Sequence, residues 1–212
     1  MNSKYKNEKL AIKILTPTFA DIEGPYYKAG APFKTELDPK ATLKIHGKVF
    51  NIYRKEIDAV LDFWQADKDG NYDMVGFNYR GKVKTIGESG GLYEINTIVP
   101  GDYQISPTEF RCAHIHVKVS SPGYKLLTTQ LYFEDDKYND TDEWYNPQNV
   151  IGRIDGVFNF VLEKDNKQKE LEELRKRLNE VDHSISWLRV YEIELLKIKQ
   201  ELDPQEPFEP GV

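Results

Sequence analysis

Two histidines separated by a single residue, His114 and His116, are where chemistry first suggests itself in this 212-residue chain. They lie in the run Arg111-Cys112-Ala113-His114-Ile115-His116-Val117. On an extended strand residues i and i+2 share a face, so the two imidazoles stand side by side while Ile115 and Val117 turn toward the core. Two imidazoles on one strand face make half of a metal site, and they are also what a solvated strand face would carry. Only four histidines exist: His46 falls in a separate alternating stretch and His183 in the C-terminal part. With one cysteine, Cys112, a three-histidine or cysteine-containing zinc site is poorly supplied. Tyrosine is the abundant alternative, with 13 copies. A phenol ordinarily ionises at about 10. A hard trivalent cation can hold it as phenolate at neutral pH, and anionic oxygen together with imidazole suits ferric iron. Composition does not select which tyrosines would serve. Two other readings compete: a zinc hydrolase using His114, His116 and an acid such as Asp102 or Glu109, and a β-sandwich carrier without catalysis.

Such a pair must be held by a sheet, and residues 43–163 read as strands broken by turns. Strands are expected at Leu43–Phe50, Ala59–Ala66, Phe77–Ile86, Leu92–Val99, Ala113–Ser120 and Leu126–Phe133. Asp69-Gly70-Asn71, Ser89-Gly90-Gly91, Pro100-Gly101-Asp102 and Ser121-Pro122-Gly123 mark turns between them. Many short strands at this spacing predict a sandwich or barrel. Residues 1–42 form an N-terminal arm. Its Pro17, Pro25, Pro32 and Pro39 exclude a long helix or a central strand, and Phe19, Tyr26, Tyr27 and Phe33 pack it on the domain. Residues 164–212 change texture. Leu171, Leu174, Leu178, Val181, Ile185 and Leu188 recur at spacings of three and four, a heptad seam. A helix is expected from Asp165, as N-cap, to Leu202, with Pro204 ending it. The strict period favours pairing with another subunit over lying on the chain's own domain.

The formal net charge is −6, which argues against a nucleic-acid partner, since that needs a basic face. No apolar run is long enough for a bilayer. Lysines at 4, 6, 9 and 13 interrupt any secretory h-region. With a lone cysteine, these features point to a reducing, cytoplasmic setting and no membrane partner.

A longer set of motifs carries a resemblance. In order, these are Glu23-Gly24-Pro25-Tyr26-Tyr27, the stretch LDFWQAD at Leu61–Asp67 with Gly70 and Tyr72, Tyr79-Arg80-Gly81, and Thr97-Ile98. Pro100-Gly101-Asp102-Tyr103, the Arg111–His116 run, and Thr129-Gln130-Leu131-Tyr132-Phe133 follow. The ordered set resembles the intradiol ring-cleavage dioxygenases, the family of protocatechuate 3,4-dioxygenase and catechol 1,2-dioxygenase. The resemblance implies a mainly β fold: a β-sandwich of the intradiol dioxygenase type, here with an irregular N-terminal arm and a long C-terminal α-helix. It implies Fe(3+) held by Tyr79, Tyr103, His114 and His116, with Tyr103 the ligand released when substrate binds. Arg111 would offset charge on the substrate, Gln130 would support the ligands from just outside them, and Gly24, Pro25 and Tyr26 would line the substrate mouth. The implied reaction inserts O2 between the hydroxyl-bearing carbons of a catechol-type ring, giving a cis,cis-muconate-type product in aromatic catabolism. The sequence departs from the family in having Cys112 where proline is usual. The N-terminal helical dimerisation segment of catechol 1,2-dioxygenases has no counterpart, and the C-terminal helix is read as its replacement in a homo-oligomer.

Overall fold

The fold was analysed in a computed structural model that describes residues 14–87 and 90–202. The chain divides into two compact units at Lys164. In the first, a strand forms within each of the six expected stretches. Strand β1 (Leu43–Asn51) buries Leu43, Ile45, Gly47, Val49 and Asn51 and turns the residues between them outward. It is followed by β2 (Val60–Gln65), β3 (Arg80–Lys84), β4 (Leu92–Thr97), β5 (Tyr103–Gln104), β6 (Phe110–Arg111), β7 (His114–Ser120), β8 (Leu127–Phe133), β9 (Val150–Ile151), β10 (Asp155–Val157) and β11 (Phe160–Leu162).

Two sheets carry the domain. One has the order β3-β2-β7-β8-β9, and in the other β1 is flanked by β4, β10 and β11. Strands β10 and β11 both run parallel to β1, one against Lys44–His46 and the other against Val49–Asn51. The break between them at Phe158 and Asn159 comes so close that a Cβ on Gly47 would lie 1.8 Å from the Phe158 carbonyl oxygen. Only glycine fits there. Between the sheets lies an apolar core that includes Ile45, Val49, Leu61, Phe63, Tyr93, Ile95, Ile115, Val117, Leu131, Phe133 and Phe160.

The other face of the five-stranded sheet matters for function. Cross-strand register aligns Arg80, Trp64, His116 and Gln130 in one row, and Lys82, Asp62, Lys118 and Thr128 in the next. This face is not left to solvent, and His114, His116, Gln130 and Tyr132 are all buried. The N-terminal arm covers it. Asp21 N–H donates to the Thr128 carbonyl and the Thr129 hydroxyl to that of Phe19, while Thr18 N–H ties the arm to the Val161 carbonyl on β11 of the other sheet. The Tyr132 hydroxyl reaches Asp21 at 2.9 Å, and Lys118 pairs with Glu23.

The second unit holds one helix, α1 (Lys167–Leu202), of 36 residues, or about 54 Å at the usual rise. Leu174, Leu178, Val181, Ile185 and Leu188 of the heptad seam are exposed on it. Pro204 and the side chain of Leu171 lie outside the described residues. Among the described residues, no helix is long and apolar enough to cross a membrane.

Candidate metal and substrate site

The imidazole pair is fixed first. His114 Nδ1 lies 2.6 Å from the Cys112 carbonyl oxygen. A carbonyl only accepts, so Nδ1 carries the proton and Nε2 presents its lone pair to the site. Burial lowers the His114 pKa to about 3, with Arg111 acting in the same direction. Burial, then the neighbouring His114, lowers that of His116 well below the ordinary value. Both rings are therefore neutral at pH 7, as metal ligation requires. Trp64 stacks face to face on His116, 4.8 Å away at 5°.

The phenols arrive on two turns that interlock. In the first, Asp67 Oδ1 accepts from the Asp69 and Asn71 amides, and Gly70 takes the left-handed conformation at φ 82°. A Cβ on Gly70 would lie 2.6 Å from the Asp102 carbonyl oxygen, and one on Gly101 2.5 Å from that of Lys68. Two glycines therefore let the turn before Tyr72 press against the segment leading into Tyr103. The rings of these tyrosines meet edge to face at 5.8 Å. The Tyr72 hydroxyl reaches His114 Nε2 at 3.3 Å, and the Tyr103 ring lies 5.7 Å from that of His114.

Tyr72, not the expected Tyr79, is thus the second phenol at the imidazole pair. Tyr79 sits at φ 54°, one residue before Arg80, and it is Arg80 that register places on the Trp64 and His116 face. The Tyr79 hydroxyl instead bonds Asp38, and burial with Asp38 raises its pKa. Tyr72 stands inside the motif run, two residues after Gly70, and the turn chemistry of Asp67–Asn71 was the signal for it.

Other expected residues assemble here. Gly24 is held at φ 70°, and a Cβ there would lie 3.5 Å from His116 Cε1. Tyr26 stacks on Tyr72 at 4.4 Å and 14°; Pro25 between them is exposed. Register pairs Tyr103 with Arg111 across the β5–β6 hairpin. Arg111 is buried and donates from Nη2 to Gln130 Oε1 at 2.7 Å. That bond fixes the amide orientation, because guanidinium only donates, and among the described residues Gln130 Nε2 is left with no partner. Sequence reasoning missed Trp64, and it missed Asp142 and Trp144, which hold Arg111 from a loop far along the chain.

Burial, with Tyr103 adding to it, pushes the Tyr72 phenol well above its ordinary value. Tyr103 is also raised by burial, against the pull of Arg111. Without a cation both stay protonated, so two phenols and two neutral imidazoles form a donor set that only a strongly polarising metal would ionise. Ferric iron fits this set. The zinc-hydrolase alternative has less to stand on. Asp102 is engaged by Lys137 at 3.2 Å, and among the described residues no group of three or more histidine, cysteine, aspartate or glutamate side chains could hold a metal. His46 lies elsewhere, 2.9 Å from Asp155.

A two-sheet β-sandwich with a buried tyrosine–histidine site on its covered face is the class that fold and geometry define. A family model described as Dioxygenase matches residues 14–171. The chain is 32% identical over 189 residues to chlorocatechol 1,2-dioxygenase of Rhodococcus opacus, covering 69% of this chain and 72% of that one. It is 35% identical over 143 residues to catechol 1,2-dioxygenase 2 of Acinetobacter lwoffii, where the match spans 51% of the relative's length. Among solved structures, the dioxygenase domain of a dioxygenase carbohydrate-binding protein fusion from Streptomyces sp. SirexAA-E aligns with TM-score 0.62 and 41% identity, over 71% of this chain and all of that one. The chain belongs to the intradiol ring-cleavage dioxygenase family.

Proposed function

We propose that the chain cleaves catechol-type rings between their two hydroxyl-bearing carbons, with Fe(3+) held by Tyr72, Tyr103, His114 and His116. One observation carries the reading: the Tyr72 hydroxyl 3.3 Å from the lone-pair nitrogen of His114, with Tyr103 and His116 packed on the same two rings. When bound, the ferric ion would supply the Lewis acidity that draws electron density from a chelated diol and lets the ring react with O2.

This chain's own residues do the rest. Tyr103, held as a phenolate when the ion is bound, would be the acceptor for a proton from a catechol hydroxyl. Arg111 presents a buried guanidinium beside it for the negative charge that develops on the ring, in surroundings where such a contact is worth more than in water. Gly24 leaves room against His116, and Tyr26 and Tyr72 offer stacked faces to an aromatic substrate. Tyr27 packs on Trp64, and with the arm above it keeps water from the covered face. Catechol and O2 together account for every atom of a cis,cis-muconate product, so no further reductant is required. The helix α1 is assigned to self-association with a second copy, through its exposed seam.

The test is the iron-loaded protein with catechol and O2. The expected results are a red-brown protein and growth of the ring-opened diacid absorbance. A colourless, iron-replete protein, or cleavage beside the diol and not within it, would overturn the reading.

A further inference from the structure

Asp142 lies outside every motif of the sequence, yet its side chain is fully buried behind the site. Its two oxygens take Arg111 Nε at 3.1 and 2.9 Å. They also accept the Cys112 amide at 2.9 Å, the Cys112 thiol at 3.1 Å and the Trp144 amide at 3.0 Å. The Trp144 ring lies 4.6 Å from the guanidinium carbon of Arg111. With Gln130 Oε1 on Nη2, the guanidinium is gripped from three directions, and its long side chain keeps almost no rotational freedom. A carboxylate buried this deeply is expensive to desolvate, and these donors offset that cost. Cys112 and Trp144 lie on separate stretches of chain, so the loop from Phe133 to Asn146 is tied to the strand that bears both imidazoles.

We propose that Asp142 is a positioning residue for ring cleavage: it aims Arg111 at the reacting ring, and its effect on turnover is exerted through that arginine. The proposal rests on the role given to Arg111 above. It separates Asp142 from a residue that merely holds the fold, because a carboxylate acting through Arg111 has nothing left to do once the guanidinium is gone.

That distinction is measurable by a double-mutant cycle on full-length, iron-loaded protein. The variants are Asp142→Asn, Arg111→Met and the two combined, each followed for kcat and KM with catechol, iron content, visible band and thermal melt. An asparagine must turn its NH2 against the N–H of Cys112, Arg111 or Trp144, so the arginine loses its seat. Asp142→Asn is expected to lower kcat about 10- to 100-fold, with KM, iron content and the visible band near wild type. The double variant is expected to be no slower than Arg111→Met alone. Multiplying losses in the double variant would overturn the proposal, as would unchanged kcat in Asp142→Asn. If Asp142→Asn does not melt as a folded protein, Asp142→Ser, which removes the donor conflict, replaces it in the cycle. Failure of both to fold would assign the residue to folding and overturn the positioning role. A wild-type protein that binds no iron or opens no catechol would instead refute the proposed function, which keeps the two failures apart.

Discussion

Tyr72 and Tyr103 meet because two turns lack side chains where they cross, and this decides which phenol belongs to the site. Tyr72→Phe is expected to bleach or shift the visible band of the iron-loaded protein and to lower turnover by about a hundredfold or more, while Tyr79→Phe keeps the band. Absorption spectra of the two variants at equal iron content check this, and a band lost only in Tyr79→Phe would return the ligand role to Tyr79. The histidine pair could be picked out in the sequence, since i, i+2 parity is a local signal, whereas Tyr103 came only through the family resemblance. Tyr72 and Tyr79 were harder to tell apart. The choice depends on Gly70 meeting Asp102 and on Tyr79 bonding Asp38, contacts between residues far apart in sequence. Asp142, 31 residues from Arg111, had no local signal at all.

At the scale of elements, the covered sheet face places a carboxylate where burial disfavours it. Burial raises the Asp62 pKa above 3.8, against the pull of Lys82 and of the Tyr27 hydrogen bond. A group that holds its proton more tightly folded than unfolded favours the fold below the unfolded pKa, and that contribution is lost as pH rises through the folded value. Asp62→Asn, which keeps an acceptor for Tyr27, is therefore expected to raise the melting temperature near pH 7, with the gain shrinking toward about pH 3. Thermal melts across that range check it, and a loss at neutral pH would mean that the 3.8 Å pair with Lys82 outweighs burial. On the opposite sheet, Gly47→Ala must displace the Phe158 carbonyl and is expected to lose about 2 kcal/mol or more in denaturant unfolding. The six long strands were legible because each runs over five or more residues between turn signals, alternating in β1 and rich in apolar and aromatic residues in β2. Strands β5, β6, β9, β10 and β11 have two or three residues each. They exist because a neighbour offers an edge, a fact of tertiary structure that no short pattern encodes.

For the whole molecule, the question is what the long C-terminal helix does. Its apolar seam was readable from the heptad period, and the helix spans nearly the expected residues. If the seam joins two copies, the full chain should show about twice its 24.6 kDa mass by light scattering. Ile185→Asp, which puts a charge into the seam, should return it to the monomer value while catechol turnover per iron persists. An unchanged mass in that variant would exclude the seam as the contact.

Trp64 lies flat on His116, almost parallel to it. An indole so placed is a built-in optical reporter: a coloured metal centre one ring away would drain its excited state by energy transfer. Loading of the site can then be followed as fading ultraviolet emission, without substrate or turnover, and Trp64→Phe would lessen that fading.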